Sequence, residues 1–366
     1  MAQTPAPTAP SPSPSPAPRA WQASGYAASS FNAPSNPGGS GFSFANGAAS
    51  RVFDTVNRQP MLNAVNVQLV KTGIVGGKIE LTAGQNADVI ASYPTANNTS
   101  FDVTQAYLSY TGGPLTLLGG KFATLAGAEV IEDPSNVNIS RSVLFGFAVP
   151  FTHTGARLTY APTALWTFVA GVNNGWDDTK GNGTGAKTAE GGIAYNGSVV
   201  SVAVQGYSGT ERISNAAWTF SAATPLGRRS LVDAVATFHA TPKLTFQANY
   251  DSGRQRNAPI LDAAGALTGV GTASWNGVAG YATYQLSPKL SAALRSETFG
   301  DAGGYRTGYD QRWRETTLTF SYAPSTPVVF RVEGRADSSN QPVWVDSGGA
   351  LRNAVQSVAA QVLVKF

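Results

Sequence analysis

The stretch "KLTFQANYD" (Lys243–Asp251) alternates without a break. Leu244, Phe246, Ala248 and Tyr250 fall on one face of an extended chain, and Lys243, Thr245, Gln247, Asn249 and Asp251 fall on the other. A period of two specifies a β-strand with one apolar and one polar face. The pattern returns in "GKIELTAG" (Gly77–Gly84), "VVSVAVQGY" (Val199–Tyr207) and "VVFRVEGRAD" (Val328–Asp337).

Working outward, strands are expected near 20–31, 61–72, 76–86, 101–111, 114–123, 152–161, 164–174, 186–195, 198–208, 228–240, 243–253, 274–286, 289–299, 311–323, 327–338 and 352–366. The connections alternate in length. Every second one is a tight turn rich in Gly, Pro or Asn, such as "TGGP", "APTA" and "NG", as turns require. The others, 32–60, 87–100, 124–151, 175–185, 209–227, 254–273, 300–310 and 339–351, are long and polar. A soluble sandwich has no reason to keep its long loops at one end. The pattern predicts an all-β fold, a transmembrane antiparallel barrel of about 16 strands with short periplasmic turns and long external loops. Closure satisfies every backbone group without an edge, as lipid demands, and that many strands leave an aqueous lumen. Both termini are then expected on the periplasmic side.

Composition narrows the class. Charged residues are only 13% of the 366, against about 25% in ordinary soluble domains. Forty glycines and many small polar residues take their place. The net charge of +4 is scattered and carries no nucleic-acid motif. No cysteine is present, which excludes disulfides and thiolate sites. No apolar run reaches the ~20 residues of a transmembrane helix. "MAQTPAPTAP" (1–10) lacks the basic and apolar regions of a signal peptide and reads as a mature amino terminus after an added Met. Residues 1–19 form a Pro/Ser/Ala linker expected to be disordered, with a spacer or cell-wall contact as the alternative. Residues 20–366 form the barrel.

Tyr110, Tyr160, Tyr195, Tyr250, Tyr284, Tyr322 and Phe366 fall near strand ends with outward parity, as interfacial aromatic girdles do. The closing "AAQVLVKF" (Ala359–Phe366) places Val362, Val364 and Phe366 toward lipid, and Gln361 and Lys365 toward the lumen.

The third long connection and its flanks resemble the OmpL-like β-barrel porins. The matching elements are Gly120-Lys121-Phe122, Glu129-Val130-Ile131-Glu132, Asn138-Ile139-Ser140-Arg141-Ser142 and Pro150-Phe151-Thr152-His153-Thr154-Gly155. "NADVI" (Asn86–Ile90) and "FDVTQAYLSY" (Phe101–Tyr110) are similar too. The resemblance covers about 20–366 and implies an outer-membrane pore without settling its solute. Phe366 looks like the end-of-strand signal read by the barrel-assembly machinery.

Loop 124–151 is apolar for an exposed segment ("SVLFGFAVPF"), so it is expected to fold inward and constrict the lumen. A subunit contact or an outer cap is the alternative. Its candidate constriction residues are Glu129, Glu132, Asp133 and Arg141. Parity places Lys78, Glu80, Lys121, Arg157, Arg295, Glu297, Glu315, Arg331, Glu333 and Arg335 on the inner wall as candidate pore-lining residues. Rings of one sign select ions strongly, whereas a mixed lumen predicts weak selectivity; many of these charges are expected to be paired wall residues.

Arg306, Arg312 and Arg314 cluster beside Trp313, either as a snorkelling rim or as contacts to lipid phosphate. Asp177, Asp178 and Asn182 lack the order of a Ca²⁺ loop. His153 and His239 lie far apart, and no metal or catalytic motif includes them. The reading is therefore a porin passing small hydrophilic solutes and ions, with no metal and no cofactor. Its partners are outer-membrane lipid and the barrel-assembly machinery; the sequence does not give the subunit number, and a homotrimer is suggested only by analogy with other sixteen-stranded porins. A structural barrel tethered through its Pro-rich head is the alternative, and an outer-membrane enzyme ranks below it.

Overall fold

The computed structural model describes residues 21–35, 44–45, 50–90, 100–179, 185–213 and 226–366. The Pro-rich segment 1–19 and Asn182 lie outside the described residues.

Sixteen strands close into one antiparallel barrel. In chain order they are β1 (Gln22–Pro34), β2 (Pro60–Lys71), β3 (Val75–Ala83), β4 (Phe101–Gly112), β5 (Leu115–Ala123), β6 (Thr152–Tyr160), β7 (Trp166–Asn173) and β8 (Thr188–Asn196). The second half comprises β9 (Val200–Arg212), β10 (Leu226–Thr241), β11 (Leu244–Leu261), β12 (Leu267–Ser287), β13 (Leu290–Ala302), β14 (Gln311–Ser325), β15 (Val328–Ser339) and β18 (Ala354–Lys365). A small hairpin, β16 (Trp344–Val345) and β17 (Leu351–Arg352), decorates the last long loop. Two short helices, α1 (Gln85–Ile90) and α2 (Val143–Phe147), lie in long loops.

Alternation decides which way each side chain points. Along β14, Gln311, Trp313, Glu315, Thr317 and Thr319 are buried, while Arg312, Arg314, Thr316, Leu318 and Phe320 are exposed. The exposed face of the barrel carries Leu, Val, Phe and Tyr around its circumference, the apolar surface a lipid-facing wall needs.

The seam joins the first and last strands of the barrel. β1 pairs with β18 from Tyr26 opposite Lys365 to Pro34 opposite Ser357. Beyond that ladder, Gly25 and Phe366 exchange both backbone hydrogen bonds at 3.0 Å. The Phe366 ring lies over Gly25, where a β-carbon would collide with it and with the Asn66 carbonyl. Glycine is required there by close approach.

Two details differ from the sequence reading. The connection expected at 254–273 shrinks to 262–266, because β11 runs for 18 residues and β12 for 21. Two bulges let this hairpin continue, and it packs Ala258, Ile260 and Ala273 on the aromatic-rich cluster inside the barrel. Tyr250 consequently sits within β11 on the outward face, not at a strand end. Tyr110, Tyr160, Tyr284, Tyr322 and Phe366 are exposed at the short-turn end. Trp166 adds to that belt, 5.2 Å from Tyr195 between ring centroids.

Candidate functional site

The interior of the barrel is divided. Toward the short turns, several inward positions are half-buried and neutral, among them Ser109, Thr159, Thr167, Thr237, Gln247 and Thr283, while Lys365 there is charged. Toward the long loops, the inward positions are buried and charged or aromatic. Loop 124–151 fills that half.

Apolar packing holds the loop from one side. Phe145 packs on Phe53 and Phe151 with centroids 5.8 and 5.3 Å away, and Phe147 lies 5.9 Å from Trp313. Trp313 also meets Trp344 and Phe44. Edge-on and tilted arrangements at these distances suit the ring quadrupoles.

A polar latch holds it from the other. An inward loop has backbone groups without sheet partners, and each must be satisfied. The barrel wall supplies carboxylates for its amides. Glu333 accepts from the Ile139 and Ser140 amides at 2.6 and 3.0 Å. Glu297 accepts from the Val143 and Leu144 amides at 2.7 and 3.0 Å. Ser142 caps α2 by accepting from the Phe145 amide at 2.9 Å, as N-cap serines do. Wall arginines serve the loop carbonyls. Arg335 donates to the Arg141 carbonyl at 2.7 Å, Arg295 to the Ser140 carbonyl at 2.7 Å and Arg331 to the Asp133 carbonyl at 3.2 Å.

Most of the candidate charges neutralise one another. Arg295 is fully buried and bridges Glu129 of the loop at 2.7 Å and Glu315 of the wall at 3.0 Å, with Glu297 at 3.9 Å. Arg141 donates to the Val130, Ile131 and Ile139 carbonyls and to Asp133, so it staples the loop to itself. Asp133 also accepts from Asn86 at 2.9 Å, and its amide donates to the Tyr26 hydroxyl at 3.3 Å. Arg157 pairs with Glu190 at 2.6 Å and lies over the Phe122 ring. Arg335 pairs with Asp337 at 2.7 Å. Outside the loop, Arg51 ties the first long connection to Asp54 and Asp337.

A second group retains contact with solvent. Lys78 is 14% exposed in its side chain and sits 2.7 Å from Glu80 and 3.7 Å from Glu132 of the loop. Glu132 is 18% exposed. Lys121 and Asp102, 8% and 11% exposed, pair at 2.9 Å. Glu80 itself is held by Asn66 and Gln105. These residues face the loop from β3, β4 and β5. Burial and the neighbouring Glu80 charge push the Glu132 carboxyl up to about 7, with Lys78 opposing. Two cations then stand against Glu80, Asp102 and Glu132, so the group carries one net negative charge with Glu132 ionised and none with it protonated.

Sequence reasoning missed the neutral partners. Asn86, Tyr26 and Asn249 hold the loop from α1, β1 and β11, and Asn138 of the loop donates to Thr319 of β14 at 2.7 Å. Only the "NADVI" block, which becomes α1, pointed toward one of them. It also missed a strain. Asp233 and Asp251 face each other across β10 and β11. Asn249 donates to Asp233 at 2.7 Å, but both Asp251 carboxylate oxygens lack a hydrogen-bond partner among the described residues.

The other motifs find structural uses. Asp177 accepts from the Phe151 and Thr152 amides at 2.8 and 2.9 Å. His153 stacks on Tyr207 and contacts the Gly175 carbonyl, and His239 contacts Thr245. Among the described residues, no group of three His, Asp or Glu is placed to hold a metal ion. Arg306 turns inward over Trp176 and Trp275, and only Arg312 and Arg314 of its cluster face outward.

A closed sixteen-strand barrel with an apolar exterior and an ion-paired interior defines a transmembrane β-barrel channel of the outer membrane. The chain belongs to the family described as "Putative beta-barrel porin-2, OmpL-like", whose profile matches residues 22–366. Its fold is similar to the outer membrane channel DcaP of Acinetobacter baumannii, at 14% identity and TM-score 0.64, over 94% of this chain and 97% of that one. It is similar to the trimer form of the outer membrane protein OmpT of Vibrio cholerae, at 10% identity and TM-score 0.63, over 95% and 99% of the two chains. Pseudomonas putida OprB matches at 10% identity and TM-score 0.55, over 94% of each chain. No curated protein matches the sequence. Family and fold point to a channel rather than an enzyme.

Proposed function

We propose that this protein is a passive diffusion porin for small hydrophilic solutes and ions, with weak charge selectivity. Its narrowest part lies where loop 124–151 faces β3, β4 and β5. The observation that carries this reading is the residual exposure of Lys78, Glu132 and Asp102, with Lys121 paired beside them, while Arg295, Glu315, Arg335 and Asp337 are locked in buried pairs. A solute path along the inner wall has to pass the groups that still touch water. Mixed, nearly balanced charge at that place favours neither ion strongly.

The short-turn end, where β1 begins and β18 ends, is assigned to the periplasm, and the long loops to the exterior. Phe366 acts as the assembly signal, a role supported by its place at the seam against Gly25. Assembly as a homotrimer is supported by the trimer form of the similar OmpT barrel.

Single-channel recording in planar bilayers tests the function. Purified, heat-modifiable protein should show ohmic steps and a small reversal potential in a salt gradient. Absence of conductance sinks the porin reading, and near-ideal selectivity sinks the balanced-constriction argument.

A further inference from the structure

The outward face of β10 and β11 carries a feature that diffusion does not use. A groove of about 310 Å³ opens there, lined by Arg228, Ser230, Val232, Ser252, Arg254 and Arg256 among others. In the antiparallel register, Ser230 stands opposite Arg254 and Val232 opposite Ser252, with Arg228 and Arg256 at the long-loop end of the same face. All three arginines are exposed.

Their charge is uncompensated. Every Asp and Glu of the chain lies among the described residues, and none pairs with Arg228, Arg254 or Arg256. The flanking outward positions on β9 and β12, Ser208, Thr210, Ser274 and Asn276, are neutral. Arg228 is partly oriented, because its Nε donates to Ser208 at 3.1 Å and Ser208 in turn bonds Ser230 at 3.0 Å. The remaining guanidinium N–H groups point at no described partner.

Depth identifies what meets them. Descending the same face from the arginines, the register gives Ala234 with Tyr250, Ala236 with Ala248, and Phe238 with Phe246 near the short turns. From Phe246 to Arg256 is ten residues, roughly 34 Å of strand. At the usual tilt that is a rise of about 26 Å, close to the height of a barrel's apolar band. The arginines therefore stand at the outer headgroup level, directly above a lipid-facing surface.

We propose that this groove binds the phosphate groups of an outer-leaflet glycolipid, with the guanidinium groups taking the phosphates and Val232 and Tyr250 lying along the acyl chains. A free anion would gain nothing from that apolar floor. Bidentate guanidinium–phosphate geometry suits the unpaired arginines.

The test is native mass spectrometry of the full detergent-purified chain, titrated with bisphosphorylated lipid A, its monophosphorylated form and phosphatidylglycerol. Lipid A should bind best. R254Q/R256Q should weaken it about 25-fold, at about fivefold per arginine near a charged lipid surface, while R312Q/R314Q should change it less than twofold. Both variants should keep wild-type conductance and heat-modifiability, which separates this site from the porin function. Four results overturn the proposal. R254Q/R256Q could bind lipid A like wild type. R312Q/R314Q could lose as much, which makes the effect a general basic rim. Millimolar inorganic phosphate could displace the lipid, which makes the groove a free-anion site. A cysteine at position 254 could cross-link to a second copy, which makes the groove a subunit contact.

Discussion

Arg295→Gln strikes the centre of the loop latch. Arg295 is fully buried and holds Glu129 of the loop at 2.7 Å, Glu315 of the wall at 3.0 Å and the Ser140 carbonyl at 2.7 Å. Glutamine keeps much of the volume but leaves Glu129 in a dry site without its cation, and leaves Glu315 with only Arg335 at 3.8 Å. Removing one partner of a buried pair costs about 3–5 kcal/mol. Were all of it felt by the seated loop, the seated-to-released ratio would fall between about a hundredfold and a few thousandfold. The barrel ladder itself is untouched, so the protein should remain folded. In planar bilayers R295Q should show larger or noisier open-channel current. In detergent, proteolysis within 124–151 should become faster while the barrel stays heat-modifiable. Adding Glu129→Gln removes the stranded loop carboxylate and should restore about 1–3 kcal/mol of seating, the size of coupling seen between contacting residues. Wild-type conductance, noise and proteolysis in R295Q would refute the idea that this pairing seats the loop.

Other perturbations separate the remaining arguments. Deleting residues 124–151 should raise single-channel conductance, and an unchanged value would remove the loop from the constriction. The Glu132 carboxyl, pushed up to about 7, is mostly neutral at pH 6 and ionised at pH 8. Raising the pH through that range should therefore shift the reversal potential toward cations, and E132Q should abolish the shift; its persistence in E132Q would assign it elsewhere. The same elevated value means the seated loop holds its proton longer than the released one, so seating should weaken as pH rises from the ordinary carboxylate range to about 7. Asp251→Asn gives Asp233 an amide donor where a second acidic group now faces it, so it should stabilise the barrel by about 1–3 kcal/mol, read as a higher heat-modification temperature. Gly25→Val blocks the seat of the Phe366 ring, and it should lower the folded, membrane-inserted fraction as truncation of Phe366 does, with the conductance of surviving channels unchanged.

The part of the structure legible in the amino-acid order is the part that obeys a local rule. Side chains alternate across a strand, and a lipid-facing wall needs one apolar face, so "KLTFQANYD" and its counterparts reveal strand, face and phase from neighbouring residues alone. Turn residues supplied the order of short and long connections, and the elements around Glu129, Asn138 and Pro150 supplied the family. Hairpin extent escaped, because the bulges that carry β11 to Leu261 depend on what the hairpin packs against. The pairing of charges escaped for a stronger reason. Arg295 meets Glu129 across 166 positions of sequence, and Arg51 meets Asp337 across 286. Parity can put such residues on the inner face but cannot say whether each ends against water or against another charge. That depends on where loop 124–151 comes to rest inside the closed barrel. The folded barrel makes Arg295, Glu297 and Glu333 latches and leaves Lys78 and Glu132 partly exposed to solvent. The physical reason is that a buried charge must find its partner in three dimensions, through contacts no local period records.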